Sequence, residues 1–186
     1  MPLSAGLGPL IRSEAAAGMD AEATKPLPAF GFLTAVEQPG SGFYGGYLVL
    51  APNGRPLEFR CSTPVQPSRA QEILYGASLR PFLLGELIGG TLLADATVPV
   101  VAIVTDLADM AELAAVRREP VVVVDSGGQP VATAPEIADR LAALLAPLAN
   151  GVDLLEPFDR IRAALREAHD VAHHSAENHD EARAAA

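Results

Sequence analysis

Apolar residues follow two rhythms along this chain, and the change of rhythm divides it. From Phe30 to Thr63 they come in short runs separated by turn residues. Phe30 to Glu37, Tyr44 to Leu50 and Leu57 to Thr63 read as strands. The first two are joined through Pro39-Gly40-Ser41-Gly42 and the last two through Pro52-Asn53-Gly54. Asn-Gly between apolar runs is a strong hairpin signal, because both residues accept positive φ. Three antiparallel strands are therefore expected.

Beyond Pro64 and Pro67 the period lengthens. Ile73, Leu74, Leu79, Leu83, Leu84, Leu87, Ile88 and Leu92 keep helical spacing from Arg69 to Leu93, with Ser68 as N-cap and Pro81 as the expected break or kink. Val98 to Thr105 and Val121 to Asp125 are almost wholly apolar, as in strands buried on both faces. A helix over Asp106 to Arg118 separates them, so the pair is expected to be parallel. Pro135 to Leu148 and Asp153 to Ala168 follow as helices, the latter with Leu154, Phe158, Ile161 and Leu165 on one face. The fold class expected is α/β, with three antiparallel strands, two parallel strands joined by helices, and a helical C-terminal extension.

The domain is placed at residues 29–148, between a disordered leader (1–28) and an amphipathic extension (149–170). A charged, disordered tail is expected over 171–186. The 186 residues, 49% of them hydrophobic, suit one domain with its own core. Arg80, Pro81, Glu86 and Asp95 interrupt the longest apolar stretch, which excludes a membrane span there. The leader lacks the basic start and apolar centre of a secretory signal, so a cytoplasmic location is expected. Cys61 is the only cysteine, which excludes an intrachain disulfide and a cysteine-based zinc site. A formal charge of -10 disfavours non-specific attraction to nucleic acid.

Pro39-Gly40-Ser41-Gly42-Phe43-Tyr44-Gly45-Gly46-Tyr47 resembles the first turn and second strand of ribonucleases H. Ser68-Arg69-Ala70-Gln71 is similar to the start of their first helix, and Val104-Thr105-Asp106 to the end of their fourth strand. The resemblance covers roughly residues 30–145. Arg55 to Phe59 and Arg69 to Gly76 also resemble a family of bacterial proteins with no assigned activity.

The ribonuclease H resemblance implies nuclease chemistry on two Mg²⁺ ions roughly 4 Å apart, held by three or four converging carboxylates. This chain departs from that pattern. Phe32, Leu33, Thr34 and Ala35 stand where the first acid is needed, and Gln71 aligns with the second, with Glu72 beside it. Asp106 alone falls where a family acid would. Glu37, shifted along its strand, and Asp125 complete the candidate metal set of Glu37, Glu72, Asp106 and Asp125, with Glu72 and Asp106 as candidate catalytic residues.

Other readings compete at each position. Asp106 suits an N-cap and Glu72 the positive first turn of a helix. Gly40, Gly42, Gly45 and Gly46 suit turns and bulges, since no phosphate-binding signature accompanies them. His169 and His173 share a helix face, but within a segment that reads as solvated. The expectation is a non-catalytic ribonuclease H-like interaction or assembly subunit, without cofactor, whose partner is another protein or a second copy. Leu154, Phe158, Ile161 and Leu165 are its candidate partner-binding residues, unless that face covers the domain's own sheet. A divergent Mg²⁺-dependent nuclease is the first alternative. A small-molecule-binding domain, with its ligand near Asp106 and Ser126-Gly127-Gly128, is the second.

Overall fold

A computed structural model describes residues 28–131, 135–149 and 153–184. The leader expected over 1–28 lies outside them except for Pro28, as does the Asn150-Gly151 break. One five-stranded sheet organises the chain, in the order β3-β2-β1-β4-β5. β1 (Phe30–Gln38), β2 (Gly42–Leu50) and β3 (Pro56–Cys61) pair antiparallel. β4 (Ala102–Thr105) joins β1 in parallel, and β5 (Val121–Val123) joins β4 in parallel. The mixed α/β sheet is the one that the apolar rhythm predicts.

Alternation along β1 divides the core. Leu33 and Ala35 face one layer with Tyr47, Ile88, Ile103 and Met110, whereas Phe30 and Phe32 face another with Leu48, Val104, Phe158 and Ile161. The first layer is covered by the helical run from Leu79 to Asp95 and by the stretch after β4 that carries Met110 and Leu113. α1 (Arg69–Tyr75) starts at a capping box: Gln71 N donates to Ser68 Oγ at 3.3 Å, and Ser68 N donates to Gln71 Oε1 at 2.9 Å. Gln71, aligned above with a family acid, thus holds a helix start.

The helix breaks earlier than predicted. Gly76, at φ 52°, interrupts it, followed by a 3₁₀ turn over Gly76–Ser78. Pro81 lies in the first turn of the next piece, where its missing N–H leaves no hydrogen bond unmade. That piece is α2 (Leu79–Pro81), which runs through a π-helical segment (Phe82–Gly89) into α3 (Gly90–Asp95). The helix expected after β4 is instead a 3₁₀ stretch, Ala108–Ala115. Asp106 caps nothing there. Thr105 Oγ1 takes the Leu107 N–H at 3.2 Å, and Leu107 occupies the cap position without a side-chain bond.

The opposite face carries α4 (Pro135–Ala149) and α5 (Glu156–Ala184). Phe158, Ile161 and Leu165 are buried at 0–1% exposure, with Leu154 packed beside them. Phe158 meets Phe32 edge to face, ring centroids 5.6 Å apart. Of the two placements open to this apolar face, the chain adopts its own sheet, so these residues are not available to a partner in this arrangement. α5 also runs further than expected, so the segment 171–186 is helical as far as Ala184. Its Ala, Glu and Arg content favours helix, and no Gly or Pro follows Pro157.

Gly45 and Gly46 are not bulge residues. They stand opposite Ala35 and Thr34 in an unbroken β1–β2 register, while Gly40 and Gly42 take the positive φ of the turn. A Cβ on Gly45 would overlap Ile88 Cγ2 on one face, and a Cβ on Gly46 would overlap Ile161 Cγ2 on the other. The missing side chains therefore let a helix approach each face of β2.

Glu58 ties edge strand β3 to the loop after α3. Its carboxylate accepts from Thr97 N, Thr97 Oγ1, Val98 N (2.9 Å) and Arg60 Nε (2.6 Å). Burial works against ionisation here, but the bonds from Val98, Arg60 and Thr97 outweigh it and hold the pKa down at about 2, against a usual 4.5.

Two outcomes follow for stability. Gly46→Ala is expected to cost about 1–3 kcal/mol by overpacking against Ile161, measured as a lowered urea midpoint. A carboxylate whose pKa is lowered on folding stabilises the fold fully above its unfolded value and loses that contribution as pH falls towards the folded value. The stability gap between the native protein and Glu58→Gln is therefore expected to shrink as pH falls from 4.5 to about 2 in pH-resolved denaturation. A constant gap would refute the role assigned to Glu58.

Candidate functional site

The four candidate metal ligands lie on different sides of the sheet. Glu37 and Glu72 lie on the side of the sheet that Leu33 and Ala35 face, where both line a cleft of about 380 Å³ with Gln38, Gln66 and Leu79. The strand shift that brings Glu37 there is visible in the register. Thr105 pairs with Leu33, so Asp106 follows opposite Thr34, and Glu37 lies three positions further on.

Each acid near this cleft has a cationic neighbour. Arg80 bridges Glu37 and Asp109, at 3.2 Å to each, and its guanidinium carbon sits 5.4 Å from the centre of the Phe43 ring. Glu72 pairs with Arg69 one turn back at 2.8 Å and lies in the first turn of α1, as its dipole reading predicts. Sequence reasoning missed Arg80, whose only local signal was its place beside Pro81.

Asp106 turns to the opposite face. There it forms an ion pair with Arg162 of α5, and its side chain is only 14% exposed. Arg162 also reaches Asp159 at 3.4 Å. Its spacing from Asp159 reads as an ordinary solvated helix pair, so nothing in the sequence marks it as the partner of Asp106. Thr34, fully buried, is the neighbour of Asp106 across the β1–β4 pair and alternates onto the same face. Thr34 Oγ1 and Asp106 Oδ1 are both buried without a hydrogen-bond partner among the described residues. A neutral hydroxyl thus stands beside Asp106 in the strand where the ribonuclease H pattern needs a carboxylate.

Asp125 organises its own turn. Its Oδ1 accepts from Gly127 N at 2.8 Å and Gln129 N at 2.9 Å, an Asx-type arrangement that closes the Ser126-Gly127-Gly128 bend. Gly128 in that bend abuts Leu154 and Leu155: a Cβ there would lie 3.6 Å from Leu155 Cγ. The strand ends proposed for a small-molecule ligand therefore have side chains packed against them. Among the described residues, no group of three or more His, Cys, Asp and Glu side chains has the arrangement of a metal site.

A second cleft, of about 470 Å³, lies on the α5 side of the same hairpin tip and is lined by Val36, Gln38, Tyr44, Arg166 and Asp170. Tyr44 donates to Gln38 Oε1 at 2.6 Å and stacks on His169, with centroids 5.6 Å apart. Burial, reinforced by the Asp170 charge, raises the Tyr44 pKa above the usual value, so its hydroxyl is a hydrogen-bond donor at neutral pH. His169 therefore has a place in the packing, whereas the side chain of His173 lies outside the described residues.

The Asp106–Arg162 pair yields a direct test. Arg162→Met leaves a largely buried carboxylate without its counter-charge and is expected to destabilise by about 3 kcal/mol. Asp106→Asn combined with Arg162→Met is expected to cost less than the two single losses added together, with a coupling of about 1–3 kcal/mol in a denaturation cycle. Strict additivity would show that the pair is not coupled.

No protein-family model matches the chain, and comparison with curated proteins finds no match.

Proposed function

We propose that this chain is a non-catalytic ribonuclease H-like domain that serves as an interaction or assembly subunit. The observation that carries the reading is the placement of Asp106. It is the one acid at a position where the ribonuclease H pattern has one, and it is paired with a guanidinium on the face away from Glu37 and Glu72. Arg162 supplies the positive charge that a metal would otherwise supply, and Thr34 beside it offers no second carboxylate. Three antiparallel strands followed by two parallel additions, with helices between, is the element order on which the resemblance rests.

The interaction half of the proposal rests on α1. None of its seven residues is buried, and Ile73 and Leu74 are 67% and 81% exposed. Isolated helices of this length are unstable in water, so tertiary contact normally has to hold them. A capping box orders its first turn while its apolar side chains remain open, as suits a surface that another protein would cover.

One observation favours the divergent Mg²⁺-dependent nuclease as a second reading, namely the cleft shared by Glu37 and Glu72. Titration calorimetry of Mg²⁺ and Mn²⁺ into the native protein, Asp106→Asn and Glu72→Gln, paired with cleavage assays on RNA, DNA and their hybrid, separates the two. The proposal expects neither carboxylate-dependent metal binding nor cleavage. Binding and cleavage that both variants lose would install the nuclease in its place. The interaction half expects Ile73→Glu with Leu74→Glu to abolish co-purification of the protein's partner while shifting stability by no more than about 0.5 kcal/mol, since both positions are exposed.

A further inference from the structure

Two helical elements meet on the side of the sheet that Leu33 faces, and glycine sets how closely. A Cβ on Gly85 would lie 3.1 Å from Asp109 O, and one on Gly89 would lie 3.0 Å from Leu113 Cδ1. The run from Leu79 to Asp95 therefore packs tightly against the 3₁₀ stretch Ala108–Ala115. At Gly90 there is room. A Cβ there would meet nothing nearer than Gly85 O, at 3.8 Å. A groove of about 480 Å³ opens here, and its lining includes Gly85, Glu86, Gly90, Glu112, Leu113 and Val116.

Three features of the groove point to a ligand. Gly85 and Glu86 belong to the π-helical segment Phe82–Gly89, a winding that is rare and frequent at functional sites. Val116 adds an apolar side chain that is left 77% exposed. Glu86 and Glu112 are both exposed, and neither has an ion pair among the described residues. Arg117, beside Val116, is taken by Glu119 at 3.3 Å, and neither it nor Arg118 lines the groove. Apolar surface thus lies beside negative charge that the chain itself leaves unanswered. The cleft of Glu37 and Glu72 differs, because Arg80 and Arg69 answer its acids.

We propose that this groove holds a cationic, apolar segment of the partner protein, with a large apolar side chain over Gly90 and Leu113 and Lys or Arg residues facing Glu86 and Glu112. Burial of the apolar group supplies affinity, and opposite charge beside it supplies the rate of encounter and the choice of partner. The formal charge of -10 draws a cation to the chain from a distance in the same sense. Nucleic acid and anionic lipid surfaces would be repelled by both carboxylates. A helix that lays its apolar face in a groove is a common form of such a segment. The inference deepens the interaction reading and rests on it, but it uses a surface other than α1.

Fluorescence anisotropy on the full chain tests it with a labelled synthetic peptide of Leu and Lys at amphipathic helical spacing, and with a control that carries Glu for every Lys. The lysine peptide is expected to bind saturably and the control not at all. Gly90→Leu is expected to weaken binding about tenfold, because it fills the groove while the chain keeps its charge. Gly90 has helical φ and ψ of -57° and -45°, so leucine suits the backbone and the melting temperature is expected not to fall. Val116→Lys, at an exposed position, is the second variant and is expected to weaken binding as well. Glu86→Gln with Glu112→Gln is expected to weaken it and to flatten its dependence on salt. Native-like binding by Gly90→Leu and Val116→Lys would show a peptide held by net charge alone and overturns the inference. So does a lysine peptide that fails to bind, or a control that binds equally well. If that happens while the Ile73→Glu, Leu74→Glu variant still loses its partner, the interaction reading stands and the groove alone is lost.

Discussion

Close approach of helices to both faces of β2 is the constraint on which the rest of this structure depends. Two adjacent residues without side chains, Gly45 and Gly46, admit Ile88 on one face and Ile161 on the other. Their neighbours Tyr44, Tyr47, Leu48 and Val49 are all buried, so the strand is enclosed in both directions. Enclosure of β2 keeps α5 against the sheet, and α5 carries Arg162 to Asp106. The electrostatic character of the strand ends is thus a result of packing several residues away.

Ionic pairing is the second theme. Arg80 and Arg162 each engage a carboxylate that a purely local reading would leave to solvent or to a metal, whereas Arg60 and Arg69 pair with near neighbours in sequence. Exposed pairs such as Arg69 with Glu72 contribute little to stability. Asp106 and Glu58 differ because their side chains are 14% and 8% exposed, so removal of a partner leaves a charge that water cannot fully solvate. Both join segments distant in sequence. Glu58 fixes the loop at Thr97 and Val98 to the sheet edge, and Asp106 fixes the end of β4 to α5.

Features written in neighbouring residues were legible in the sequence. Asn53-Gly54 marked the β2–β3 turn, where Gly54 has φ 78° and Asn53 Oδ1 accepts from Arg55 N. Ser68 marked the start of α1, and the apolar runs marked all five strands. Features set by distant partners were not. The Val98 to Thr105 run shortens to Ala102–Thr105 because only those residues lie opposite β1. Asp106 looked like a cap because a strand-end acid before a helix usually is one; Arg162, 56 residues on, gives it another role. Glu37 and Glu72 fall in one set with Asp106 and Asp125 on sequence alone; that the first two share a cleft while Asp106 meets Arg162 on the other face depends on contacts between distant segments.

The π-helical segment has a consequence for which changes this chain tolerates. A widened turn accommodates about one more residue than an α-helical one, and here the segment contains Leu84 and leads to Leu92, both buried in the same core layer. Removal of one residue from Phe82–Gly89 would restore ordinary winding but turn everything after it by about 100°. Leu92 and Leu93 would then rotate off the sheet. The spacing between these leucines is therefore as fixed as their identity, and sequence drift here is confined to substitution, with insertion and deletion directed to the turns outside the sheet.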